Sequence, residues 1–301
     1  MKKVLFVLIA ICVIAASCKK DHKIITPVST LQKVSFAVGF SQSTSIINSK
    51  NPLKVNSLAT NSSTPDTALT NYISTLYYMV FDSAGNLIHN ITQLSSDTAF
   101  GHYTDNLHTG KYTVAVAGCT GMTLVAGTLS SEYLGGGFSH DAFFERVTIT
   151  VANAPLTQPI SLNRITSKFI VNINDAIPAN ATYGLVRLIG VANDYFVGTD
   201  QIGTSVSNPY YYTIPATAAG TTNYQMSGIF LYMAPFTTDI EVAQSSDPAA
   251  TVYGAKTVQN VTGQANKITI LSGNLFGGSG GGGLQVVPDT IWNIPIIKTF
   301  P

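Results

Sequence analysis

The sequence predicts an all-β protein made of two tandem β-sandwiches, and three observations lead there. Apolar residues recur at every second position in many short runs separated by Gly, Pro, Asn, Asp and Ser, the period of a strand with one buried face. No stretch keeps a helical spacing over three turns. Charged residues make up only 10% of the chain, against a typical ~25%. Polarity comes instead from Ser, Thr, Asn and Gly, which suit turns and the solvent faces of strands and form helices poorly. A length of 301 residues is enough for about two domains. The net charge of +1 offers no basic field to attract a nucleic acid, so that class of partner is excluded.

The elements follow in order. Met1–Lys3 is a positive start, Val4–Ala16 a short apolar core, and Ala15-Ala16-Ser17-Cys18 a run of small residues before a cysteine, the layout of a secretory signal. The apolar run falls short of the roughly 18 to 20 residues that span a bilayer. It resembles a bacterial lipoprotein lipobox, with Ala15 standing where Leu is commonest. That resemblance implies cleavage before Cys18 and acylation of Cys18, an anchor into the outer membrane strengthened by about 0.8 kcal/mol per buried methylene. Residues 1–17 are read as a lipoprotein signal peptide and 18–30 as a lipid-anchored linker.

In Lys33–Phe40, the residues Val34, Phe36, Val38 and Phe40 share one strand face. Residues 41–70 lose this period and read as a long loop rich in Ser, Thr and Asn. Leu76–Ile88 holds two apolar runs around Asp82-Ser83-Ala84-Gly85-Asn86, the composition of a hairpin turn. The same spacing of oxygen donors lacks the downstream Glu of a calcium loop. Gly110–Gly118, Val147–Val151, Gln158–Leu162 and Phe169–Ile173 continue the series. The pattern then restarts with Gly184–Gly190, Tyr210–Ile214, Tyr224–Met233, Asp239–Ala243, Val252–Val258 and Lys267–Leu271. This divides the chain into an N-terminal sandwich at 31–163 and a C-terminal one at 164–276.

Little in the chain points to bond-making chemistry. Of the three cysteines, Cys12 leaves with the signal and Cys18 is the lipid acceptor, so Cys119 remains without a partner and reads as a quiet buried thiol. Ser139-His140-Asp141 are adjacent, whereas a catalytic triad is assembled by the fold. No nucleophile-elbow, zinc-protease or phosphate-loop pattern occurs, and the five histidines lack metal-site spacing. No catalytic residue, metal or cofactor is predicted.

The tail at 277–301 pairs the tether GGSGGGG with Leu284, Val286, Val287, Ile291, Trp292, Ile294, Ile296, Ile297 and Phe300. Such a segment must dock, because each large apolar side chain left in water forgoes roughly 1.5 to 3 kcal/mol. It docks either on its own body or on a neighbour.

Three stretches, taken in order after the lipobox, carry a family resemblance: Tyr77–Ile88 (YYMVFDSAGNLI), Leu107–Gly118 (LHTGKYTVAVAG) and Leu162–Ile173 (LNRITSKFIVNI). Together they resemble the fimbrillin superfamily of type V pili, and most nearly its anchor or minor subunits. The resemblance covers roughly residues 30 to 275. It implies two transthyretin-like β-sandwich domains, export as a surface lipoprotein of the outer membrane and fimbrium, and a non-enzymatic role in cell adhesion. It also implies other fimbrial subunits as partners, joined by strand exchange in which an apolar tail fills a groove vacated by a first strand. Val286, Val287, Ile291, Trp292, Ile294, Ile296 and Ile297 are then the candidate donor contacts. Pro288 and Pro295 cannot donate to a ladder and restrict where such a tail can pair. No arginine precedes Arg146, so only Lys50 and Lys54 in the loop after the first strand could serve a protease that cuts at basic residues. A chain that keeps its first strand and its lipid would be the anchor. The competing reading is a carbohydrate-binding surface lipoprotein that takes host or bacterial glycans on Tyr210 and Tyr212, which share one face of a strand.

Overall fold

A computed structural model of the chain describes residues 30–40, 67–125, 127–135, 140–199, 201–232 and 234–276, with the backbone of 285–291. Among these residues, regular structure is β except for one helical turn at Thr67–Thr70 and a 3-10 turn at Ala216–Ala218.

The first half supplies β1 (Leu31–Phe40), β2 (Thr75–Phe81), β3 (Leu87–Leu94), β4 (His102–His108) and β5 (Gly110–Cys119). It continues with β6 (Thr123–Val125), β7 (Tyr133–Gly135), β8 (Ala142–Val151) and β9 (Leu156–Arg164). Seven of these strands form one ladder in the order β3-β2-β5-β8-β9-β1-β4. β8 and β9 are joined only at Phe143↔Arg164 and Phe144↔Asn163, so the ladder folds over along that line. Val34, Phe36 and Val38 of one layer then meet Leu76, Tyr78, Val80, Val114 and Val116 of the other in a single apolar core. The two ends of the ladder also meet. His89 Nδ1 on β3 lies 2.5 Å from Asp105 Oδ2 on β4. Gln93 Nε2 donates to the His102 carbonyl at 2.7 Å, and the Gly101 amide donates to Gln93 Oε1 at 3.1 Å. Gly101 has φ +84°, and a Cβ there would sit 2.9 Å from Leu69 Cδ1, so the turn before β4 needs glycine.

The hairpin turn forms where the composition placed it. Asp82 Oδ1 accepts from the amides of Ala84 and Asn86, each at 2.9 Å. Asn86, then the turn amides, hold the carboxylate below its ordinary pKa. Its acceptors are engaged by the turn itself.

The second half supplies β10 (Ser167–Ile173), β11 (Tyr183–Ala192), β12 (Tyr195–Phe196), β13 (Gln201–Ile202), β14 (Ser205–Thr213) and β15 (Tyr224–Phe230). β16 (Phe236–Ala243), β17 (Val252–Val261), β18 (Lys267–Gly273) and β19 (Gln285–Ile291) complete it. Two four-stranded sheets, β15-β10-β18-β19 and β14-β11-β16-β17, enclose a core that includes Phe169, Val171, Val186, Leu188, Met226, Phe230, Phe236, Ile240 and Leu271.

A third apolar cluster joins the halves. Met79, Phe81, Ala115, Cys119 and Phe144, from the outer face of β2, β5 and β8, pack with Ala192, Tyr195, Val197 and Leu231. This explains why Met79-Val80-Phe81 is buried without alternation: both faces of β2 are covered. A small sheet in the order β13-β12-β7-β6 crosses the joint through Tyr195↔Leu134 and Phe196↔Tyr133. Arg164 reinforces it by donating through Nε to both Asp141 oxygens, at 2.9 and 3.0 Å, and through NH1 to Asn266 Oδ1 at 3.0 Å.

Glu132 lies beside this joint at 0% exposure, and neither carboxylate oxygen has a hydrogen-bond partner. Desolvation pushes its pKa up from 4.5 to about 7. The folded chain holds the proton through that window while an unfolded chain has released it, so folding stability falls as pH rises between the two values. Glu132→Gln, which cannot ionise, is expected to remove that slope. Urea unfolding at about pH 5 and about pH 8 should show wild type losing on the order of 2 kcal/mol more than the variant. Equal slopes would mean that the carboxylate is solvated in the folded state.

Candidate functional site

Two strands stand apart from the rest because of how they are attached. β1 runs between β4 and β9. It is antiparallel to β4 from Leu31↔His108 to Ala37↔His102, and parallel to β9 from Val34↔Leu156 to Phe40↔Leu162. Its inward side chains Val34, Phe36 and Val38 are 0%, 2% and 6% exposed. Phe36 stacks on Tyr103 with centroids 6.0 Å apart, and Phe40 packs on Phe143 at 4.8 Å. An interior strand of this kind satisfies two edges of backbone at once and fills apolar pockets beneath them. Its three apolar anchors are each worth roughly 1.5 to 3 kcal/mol.

Among the described residues β19 has one neighbour. It pairs antiparallel with β18 through Ser272↔Gln285, Leu271↔Val286 and Ile270↔Val287, then resumes at Ile268↔Thr290 and Lys267↔Ile291. The intervening Pro288 and Asp289 face Thr269 alone. Pro288 therefore sits at a bulge on an edge strand, where its missing N–H costs no ladder bond. The candidate donor residues Val286, Val287 and Ile291 are thus on a strand paired with this chain's own second sheet. Trp292, Ile294, Ile296 and Ile297 lie outside the described residues, as does Cys18.

The root of the tail is fixed. Asp175 accepts from the Leu275 amide at 3.0 and 3.1 Å and from the Phe276 amide at 2.6 Å. Leu275 is buried in the second core. A Cβ at Gly254 of β17 would meet the Leu275 carbonyl at 2.7 Å, so glycine there admits the departing chain. The sequence reading passed over Asp175, since an aspartate between strands usually signals only a turn.

The candidate glycan residues Tyr210 and Tyr212 face inward. The Tyr210 ring packs edge-on to Phe169 at 4.8 Å, and its hydroxyl donates to the Ile229 carbonyl. The Tyr212 hydroxyl donates to the Ser227 carbonyl at 3.1 Å. Both rings pack against the second core. Tyr211, between them, points to solvent at 66% exposure.

Elsewhere, Cys119 is fully buried and burial pushes its thiol up to about 11. Asp141 is held by Arg164 and by the Thr166 hydroxyl, and Ser139 lies outside the described residues. Among the described residues no helix is long and apolar enough to cross a membrane, and no group of three or more His, Cys, Asp or Glu side chains gathers at a metal-binding spacing.

No family model matches the sequence, and no curated protein matches it. The fold is shared with solved structures. The fimbrial anchor protein Mfa2 from Porphyromonas gingivalis aligns at TM-score 0.50 and 12% identity, over 84% of this chain and 95% of its own. A candidate cell adhesion protein from Bacteroides eggerthii aligns at TM-score 0.50 and 12% identity, over 88% of this chain and 97% of its own. A candidate polysaccharide-binding protein from Bacteroides thetaiotaomicron aligns at TM-score 0.51 and 10% identity, over 81% of this chain and 92% of its own. These likenesses establish a common all-β fold.

Asp175→Ala should loosen the root of the tail without disturbing β18. Hydrogen exchange at the Leu275 and Phe276 amides is expected to quicken, since a charge-assisted hydrogen bond contributes about 1.5 to 3 kcal/mol. Unchanged protection would assign the fixing of the root to Leu275 burial alone.

Proposed function

We propose that this chain is a non-enzymatic, lipid-anchored component of a surface pilus, serving in cell adhesion as the anchor or a minor subunit that joins its neighbours by strand exchange. The observation that carries the reading is the contrast between its two special strands. Among the described residues β1 is paired on both edges, whereas β19, which follows a glycine-rich run in the sequence, is paired on one. A strand held on one side is the one that can leave. An extended apolar segment that leaves one sheet edge can satisfy another through main-chain hydrogen bonds, with alternate side chains filling pockets.

In this account the tail rests on β18 in the isolated chain and is donated to a neighbouring subunit on assembly. The seat between β4 and β9 stays filled by β1, because no arginine precedes Arg146 and the loop after β1 offers only Lys50 and Lys54 to a protease. A subunit that gives a strand and takes none ends a filament. An acylated Cys18, thirteen residues before Leu31, would make that end the one at the outer membrane. The shared fold with a fimbrial anchor protein supports the same assignment.

Two measurements test it. Cys18→Ala is expected to move the protein from the membrane fraction to the soluble fraction, and globomycin to leave an unprocessed precursor; retention of mature protein on membranes after either would remove the lipid from the account. Deletion of residues 277–301 should reduce co-purification of other fimbrial subunits at least tenfold, about 1.4 kcal/mol. Undiminished capture would show that the tail serves only its own domain.

A further inference from the structure

The outer face of the β14-β11-β16-β17 sheet carries a site that strand exchange does not use. Its register sets two rows of side chains across the strands. Tyr211, Leu185 and Glu241 lie abreast in one, and Pro209, Arg187 and Asp239 in the next. Tyr183 stands two residues before Leu185 on the same strand face, and its ring lies 6.2 Å from that of Tyr211 with only 31° between their planes. Leu185 beneath them is 7% exposed although it points outward, while Tyr211 has the highest exposure of the described large hydrophobics, 66%. Ser246 and Pro248, from the loop between β16 and β17, raise one wall of a shallow depression of about 670 Å³ that they line with Tyr183, Leu185, Arg187, Tyr211, Tyr212 and Thr213; Asp239 and Glu241 stand beside it on the same sheet face. That wall is built in advance: Asp247 Oδ1 accepts from the Ala249 amide at 2.9 Å, and the Gln244 amide donates to the Thr251 carbonyl at 2.9 Å.

The chemistry of the lining restricts what fits. The exposed Tyr211 ring and the half-buried Tyr183 ring, tilted 31° to each other over Leu185, offer an apolar floor. The border is polar and carries both signs. Arg187 faces Asp239 across 3.9 Å, beyond hydrogen-bond reach, which leaves guanidinium donors for a ligand. Asp239 accepts from the Thr257 hydroxyl at 2.7 Å, and Glu241 contributes a second carboxylate. A lipid chain would put hydrocarbon against these charges, and a polyanion would meet two carboxylates for one arginine. A pyranose has the complementary form, with a C–H face for the rings and hydroxyls around its rim for Arg187, Asp239 and Glu241. The volume is of the order of ligand sites that receive a few such rings, roughly 300 to 1,000 Å³.

We propose that Tyr183, Tyr211 and Arg187 form a binding site for a neutral oligosaccharide, with the two rings as platform and Arg187 as the donor that orients it. The Tyr210 ring sits on the opposite face of β14, against Phe169, and the site uses no residue of β19. A shallow site of this size binds weakly, with a dissociation constant of about 0.1 to 1 mM.

The test is an NMR titration of the mature chain with maltohexaose, cellohexaose and mannohexaose in turn, up to about 10 mM. At least one should bind saturably. Tyr211→Ala should weaken that binding at least tenfold at an unchanged melting temperature, since the ring is largely in solvent, and Tyr211→Phe should restore it. Arg187→Ala should also weaken it. Tyr210→Phe, which keeps the buried ring, should leave it alone. Absence of binding by all three sugars, or binding that survives Tyr211→Ala, would overturn the proposal. So would binding by polygalacturonate in place of the neutral sugars.

Discussion

Backbone pairing at strand edges is the constraint on which this molecule depends. A chain with so few charges and so many short strands has little besides main-chain hydrogen bonds and apolar burial to define its surface, and every unpaired edge invites another strand. The chain manages its edges unequally. In the first half, the ends of the folded ladder are drawn together by His89 with Asp105 and by the Gln93 amide. In the second, the edge of β18 is covered by β19, which follows the glycine-rich run in the sequence. One edge is closed by side chains of the body and the other by a strand from the C-terminal segment, which the proposed function treats as exchangeable. The difference between a permanent closure and a removable one is what the proposed assembly exploits.

The joint between the halves has a mechanical consequence. The third cluster, the small crossing sheet and the Arg164–Asp141–Asn266 bonds bind the two cores through many small contacts. Interfaces packed in this way resist relative rotation better than a polar linker does. In a filament component, tension applied at the tail would pass through the second core and the joint to the first. Cys119 belongs to this packing and is kept in its neutral form by burial.

Legibility in the sequence followed the physics of burial. Strands with one wet and one dry face announced themselves: β1 and β10 fall where alternation put them, whereas β2 and β5, covered on both faces, were marked by apolar runs beside turn residues. β4 was missed because its buried positions are Asp105 and Leu107 in a run that is otherwise polar, and the burial of Asp105 depends on His89, thirteen residues before β4 begins. β6, β7, β12 and β13 are two or three residues long and exist only because they meet at the joint, so no local period can mark them. Alternation separated Tyr210 and Tyr212 from Tyr211 but did not by itself say which face is dry. Val206 and Ile214 share the parity of Tyr210 and Tyr212, and that was the available signal for the core side. The composition of the tail showed that it must dock; its place on β18 is a long-range choice that composition does not encode.

The central claim is that the β18 edge is a seat whose occupant can be exchanged. Amide hydrogen exchange at Lys267–Gly273 tests this most directly, comparing the whole chain, the chain ending at Phe276, and that shortened chain mixed with a synthetic peptide of residues 284–301. The account predicts that half of the β18 amides, those directed at β19, lose protection on truncation and regain it when the peptide is supplied in trans. Protection that never falls, or that falls and is not restored by the peptide, would contradict an exchangeable strand.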